Sequence, residues 1–158
     1  MNPHGAPTLE VVIEIPRWSF VKRGSSGHVD FISPLPCPFN YGAVPDRLGL
    51  EGDLLDALVL GPRLPLGSHH HLPAWGAIIL VDRGMTDHKL VCSTHRPSAT
   101  ELHQVRRFFD FYARAKAVLN LCRGQTGRHA CEGWCTTEEA LALARPRAPD
   151  WPGPRVNF

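Results

Sequence analysis

The 158-residue chain has no apolar run approaching the roughly 20 residues that a bilayer span requires. Its first residues, MNPHGAPTLE, also lack the basic flank and apolar stretch of a secretory leader. A soluble, cytoplasmic protein that engages no membrane is expected. The five cysteines are odd in number and unevenly spaced, so they form no disulfide framework and read as reduced intracellular thiols. No one charge dominates: the formal net charge is +2, and the basic residues are scattered without interleaved aromatics, which argues against a nucleic-acid surface. No segment repeats. The length suits one domain with a sizeable core, expected over residues 1–145, followed by a Pro-rich tail over 146–158.

What is present changes character along the chain. LEVVIEI, Leu9 to Ile15, is β-branched and alternating, and Pro16, which cannot donate to a ladder, closes it, leaving Glu14 at a strand end. Up to about Leu90 the chain consists of short apolar runs cut by Pro and Gly (HVDFIS, DALVLG, WGAIILVD, HKLVCS), the spacing of a small barrel or curled antiparallel sheet. VDRGMTDHKLV predicts a hairpin with Asp82 and Asp87 at the ends of its loop. SHHH, residues 68–71, is expected in a solvated loop.

After RPSATE the period becomes helical. Leu102, Val105, Phe108, Phe109 and Tyr112, continued by Ala115, Val118 and Leu119, form the expected buried stripe, with Ser98 or Thr100 as the cap. Thr136 and Glu139 have capping-box spacing for a second, shorter helix. The tail ARPRAPDWPGPRVNF is too rich in proline for either element and is expected as an extended arm or a disordered end. Cys122, Cys131 and Cys135 with His129 invite a zinc reading, but they lack the close pairs of a structural zinc site, and Cys131 and Cys135 are expected to bracket a turn at EGW as free thiols.

The chemistry is suggested by LGLEGDLLDALVLG, Leu48 to Gly61. Glu51, Asp53 and Asp56 interrupt an apolar run, and Gly49 and Gly52 permit a turn in which all three converge. Converging carboxylates repel one another unless a cation compensates, and a hard divalent ion, Mg²⁺ or Mn²⁺, suits oxygen ligands. Alone, the pattern is more often a solvated acidic turn. Asp82 and Asp87 with Lys89, Glu14 with Lys22, and Tyr41 and Tyr112 elsewhere strengthen the alternative: carboxylates to hold ions, and ions with cationic side chains to hold phosphate oxygens.

Four collinear segments, VVIEIPRWSFVK, PFNYGAVPDRLGLEGDLLDALVLGP, VDRGMTDHKLV and FFDFYARAK…EGW, resemble the family I soluble inorganic pyrophosphatases over roughly Val11 to Trp134. The resemblance implies an α+β fold, a small five-stranded OB-type β-barrel with flanking C-terminal helices, and Mg²⁺-dependent hydrolysis of pyrophosphate to two phosphates. It also implies metal ligation by Glu14, Glu51, Asp53, Asp56, Asp82 and Asp87. Asp53 corresponds to the acid that orients or deprotonates the attacking water, and Lys22, Tyr41, Lys89 and Tyr112 correspond to residues around the phosphoryl groups. A homo-oligomer is expected from the same likeness.

The chain departs from the family pattern in its outer residues. Glu51 stands for an aspartate, Gly24 and Arg83 for acids, Cys37 for a tyrosine and Ala113 for a lysine. The phosphate-binding arginine after the second strand has no counterpart. Arg83, at the start of the hairpin loop, is the expected replacement, ahead of Arg23. Two alternatives stay open: a hydrolase of an organic diphosphate on the same metals, and a pseudoenzyme that binds a phosphorylated ligand without turnover.

Overall fold

The computed structural model describes residues 5–23, 29–32 and 36–153, and of residues 22, 23 and 29–32 only the backbone. Strands β1 (Thr8–Ile15), β4 (Asn40–Leu48), β5 (Leu54–Val59), β6 (His69–Asp82) and β7 (Met85–Cys92) pair in the order β1-β4-β5-β7-β6. β1 also pairs antiparallel with β6, from Thr8↔Pro73 to Val12↔His69, so the five strands close into the expected OB-type barrel. All contacts in the ring are antiparallel except β5 with β7. β2 (Val21–Arg23) and β3 (Val29–Ile32) form a separate two-stranded sheet, and β8 (His129–Cys135) extends the main sheet beyond β6.

Alternation divides the strand residues between two faces. Val11, Ile13, Val44, Leu55, Ala57, Val59, Leu90 and Cys92 fill the barrel. Their neighbours Tyr41, Leu58, Ile78, Leu80 and Val91 form a second cluster outside it, with Val105 and Phe109 of helix α1 (Ala99–Cys122). Leu58 and Ile78 are fully buried there, each contributing about 1.5–3 kcal/mol. Gly42 lets β1 and β4 approach: a Cβ at that position would fall 2.2 Å from the Val12 carbonyl oxygen. Ala140 of helix α2 (Thr137–Leu143) joins the interior cluster, and Thr137 Oγ1 donates to the Ala74 carbonyl at 2.9 Å.

Both helix starts match expectation. Ser98 and Thr136 are the caps, with Glu101 and Glu139 completing capping boxes. The second half of the α1 stripe does not: Val118 and Leu119 are exposed, and the buried face runs through Val105, Phe109, Ala113 and Asn120. A strictly apolar stripe fails as a guide here because this part of α1 packs against a polar region. Three further expectations are corrected. His69, His70 and His71 lie in β6 against β1, where Glu10 accepts from His69 Nδ1 at 2.7 Å, because the pairing that closes the barrel recruits them. The EGW segment is strand, drawn into β8 by its pairing with β6. Arg145–Pro146 form a two-residue strand, β9, beside β4, since Arg47 and Leu48 offer an open edge.

Candidate active site

The strand registers build a polar cluster at one end of the outer face. Asp87 and Lys89 are two residues apart on β7 and share a face, and the parallel register sets Lys89 opposite Asp56 of β5. Lys89 Nζ donates to Asp56 Oδ2 at 2.6 Å and to Asp87 Oδ2 at 2.7 Å. The Tyr41 hydroxyl on β4 donates to the same Asp56 oxygen at 2.6 Å. Burial alone depresses an ammonium's pKa, but Asp56, Tyr41 and Asp87 outweigh it and hold Lys89 well above its ordinary value. Burial, reinforced by the negative Asp56, pushes the Tyr41 hydroxyl well up, so it remains a donor.

Asp82 ends β6 and forms a second corner. The hairpin turn is only Arg83 and Gly84, with φ of 51° and 80°, so Asp82 pairs directly with Met85 while Asp87 sits opposite Leu80, inside the strand. Lys116 of α1 donates to Asp82 Oδ2. His129 of β8 is the register partner of Asp82, and its Nδ1 lies 3.2 Å from Asp82 Oδ1, though the pair is not aligned as a hydrogen bond. Asn120 Nδ2 and His129 Nε2 are 2.9 Å apart. Burial raises the Asp82 carboxyl pKa, but Lys116, His129 and Arg83 together bring it below its usual value.

Glu51 and Asp53 occupy the turn between β4 and β5, closed by the Gly49 N–H donating to the Asp53 carbonyl at 2.8 Å and by Gly52 at φ 89°. Burial raises the Glu51 carboxyl pKa, and Asp87 adds to the rise. Glu14, Tyr41, Glu51, Asp53, Asp56, Asp82, Asp87, Lys89 and Tyr112 all line one cavity of about 360 Å³. Arg83 does not; its side chain is 64% exposed, with Nε 3.8 Å from Asp82 Oδ1. The Lys22 and Arg23 backbones lie in β2, but their side chains, like all of Gly24, fall outside the described residues. Lys116 and His129 line the cavity and were not expected there. Lys116 is four residues after Tyr112, a spacing that puts both on one helix face and was readable in the sequence. His129 depends on a strand pairing that local sequence does not display.

Six carboxylates and two lysines line this cavity among the described residues. Hard oxygen donors in excess over cations suit a divalent ion, and Asp82 Oδ1 is a buried oxygen without a hydrogen bond. No group of three His, Cys, Asp or Glu among the described residues stands in metal-holding geometry; Lys89 holds Asp56 and Asp87, and Lys116 holds Asp82. The zinc reading finds no support either: Cys122 is exposed, while Cys131 and Cys135 are half-buried free thiols. No helix among the described residues is long and apolar enough to cross a membrane.

A closed five-stranded barrel bearing an acidic cavity with lysine and tyrosine donors is an OB-type barrel whose site suits a cation-bound anion. The family model described as inorganic pyrophosphatase matches residues 11–144, and the chain belongs to that family. An inorganic pyrophosphatase of Gluconobacter oxydans is 35% identical over 108 residues, covering 61% of this chain and 62% of the relative. A soluble inorganic pyrophosphatase of Oryza sativa subsp. indica is 33% identical over 129 residues, covering 68% and 60%. The chain thus spans about six-tenths of the length of these curated relatives. The crystal structure of an inorganic pyrophosphatase from Neisseria gonorrhoeae superposes with a TM-score of 0.72 at 26% identity, covering 86% of each chain. Membership of the family implies dependence on a divalent metal.

Proposed function

We propose that this chain hydrolyses inorganic pyrophosphate to two phosphates with Mg²⁺, Mn²⁺ being an alternative ion. The observation that carries the reading is a cavity that, among the described residues, six carboxylates, two lysines and two tyrosines line in a chain of this family. Glu14, Glu51, Asp53, Asp56, Asp82 and Asp87 would hold the metal. The bound ions acidify water and offset phosphate charge. Asp53, on the turn at the cavity wall, orients the attacking water and takes its proton. Lys89 and Tyr41, raised in pKa by their surroundings, keep their protons and donate to phosphate oxygens, joined by Tyr112 and Lys22. Residues 1–145 form the catalytic unit in this reading and 146–158 an extension, whose Trp151 lines the same cavity.

The assay is phosphate release from pyrophosphate with Mg²⁺, with and without a chelator; release that the chelator abolishes is expected. Cys37 and Ala113, both on the cavity wall and smaller than the tyrosine and lysine they replace, favour an organic diphosphate as the second reading. Faster release from nucleotide or isoprenoid diphosphates than from pyrophosphate selects it, and binding without release from any of them selects the pseudoenzyme. A cytoplasmic homo-oligomer is part of the proposal, supported by five free thiols and by exposed Phe111, Val118 and Leu121 on α1. Light scattering of the purified chain tests the assembly.

A further inference from the structure

The lysine expected after Tyr112 is Ala113, which is buried in the cavity wall and carries no charge. The cation has not left the helix. Lys116 lies on the same buried face as Val105, Phe109 and Ala113, lines the cavity, and its Nζ stands 5.9 Å from the centroid of the Tyr112 ring. We propose that Lys116 is a substrate-binding residue, supplying from one turn further along α1 the cation that grips a phosphoryl group of the diphosphate.

The two cavity lysines among the described residues are held very differently. Lys89 has a side chain only 7% exposed and clamped between Asp56 and Asp87. Lys116 is 33% exposed and is tied to Asp82, which also has His129 Nδ1 at 3.2 Å and Arg83 Nε at 3.8 Å. When a diphosphate enters, Lys116 can therefore turn to it while Asp82 keeps His129 and Arg83 beside it. An ammonium on a flexible four-carbon stem suits that exchange, since its three donors have no fixed plane to match. Arg83 fits the role less well because it lies outside the cavity lining and its side chain is largely in solvent.

This inference rests on the diphosphate reading, so the test has one measurement with turnover and one without. In initial-rate assays of the full chain with Mg²⁺ and pyrophosphate, Lys116→Ala should raise KM about tenfold with a much smaller change in kcat. Lys116→Arg should recover most of the loss, whereas Arg114→Ala, which removes an exposed charge from the same helix, should leave KM unchanged. In calorimetric titration with methylenediphosphonate and Mg²⁺, Lys116→Ala should bind about tenfold more weakly than the parent. Unchanged KM and unchanged diphosphonate affinity, with lower thermal stability, would show that Lys116 merely neutralises Asp82 and would overturn the proposal. If the parent releases no phosphate from pyrophosphate, the function reading falls. The titration still decides on Lys116: weaker binding by Lys116→Ala sustains it, and equal binding, or none by the parent, overturns it.

Discussion

The outer wall of the barrel has two ends that share strands and differ in everything else. At one, Leu58, Ile78, Val91, Val105 and Phe109 pack beneath α1 as ordinary core. At the other, two to four residues along the same strands and on the same face, stand Asp56, Lys89 and Asp82. The apolar end holds the helix in place, and the helix in turn carries Tyr112 and Lys116 over the polar end. Stability at the apolar end thus comes from burial, and at the polar end from the pairing of charges. The polar end persists only because each buried charge has a partner, as Lys89 does in Asp56 and Asp87.

The strongest way to break this arrangement is Lys89→Ala. Removing the shared cation leaves Asp56 and Asp87 facing each other, and the expected loss is about 3–5 kcal/mol of unfolding free energy in urea denaturation. Adding Mg²⁺ should recover part of that loss, because a divalent ion can take over the neutralisation. The apolar end should behave differently: Leu58→Ala, at a fully buried position, should cost about 2–4 kcal/mol with no recovery by Mg²⁺. Equal Mg²⁺ responses in the two variants would erase the distinction.

Asp53→Asn sharpens the comparison from the functional side. Asp53 sits on an exposed turn, so its loss should leave the urea midpoint near the parental value while lowering turnover about 10²-fold, equivalent to about 2.7 kcal/mol of barrier. Near-parental turnover in a folded variant would remove Asp53 from its assigned role.

The smallest effect lies at the start of α1, far from either end. The Ser98 backbone N–H donates to Glu101 Oε2 at 2.8 Å, and Glu101 N–H donates to Ser98 Oγ at 3.2 Å. Ser98→Ala should cost about 1 kcal/mol in the same denaturation experiment. The backbone and hydroxyl of Ser98 lower the Glu101 carboxyl pKa, so its stabilisation is complete above the carboxyl's unfolded value and is lost as pH falls through the depressed folded value. A small acid-limb loss of stability, absent in Glu101→Gln, is the expected reading.

Much of this was legible in the residues. Both caps, the β-rich first part and the helical second part follow from spacing and local chemistry. The acids were legible for a related reason: Glu51, Asp53, Asp56, Asp82 and Asp87 break apolar runs, where an unpaired charge is costly enough to need an explanation. Glu14 stood out only by its place at a strand end. The errors share one cause. Val118 and Leu119 were assigned to the buried face because they are apolar, whereas α1 turns Lys116 and Asn120 toward a polar neighbour. The histidines at 69–71 looked like a loop because their composition is polar, yet closing the barrel required a strand there.

By itself, then, the order of residues determined the elements, their caps and the set of charged groups available, since these depend on interactions within a few positions of the chain. Only the tertiary structure decided which charges meet. The parallel β5–β7 register put Lys89 between Asp56 and Asp87, and the β6–β8 register put His129 beside Asp82. The packing of α1 on the outer wall put Lys116 beside Asp82. Pairings between distant segments depend on how the whole barrel closes and packs, a property that no short stretch of sequence contains.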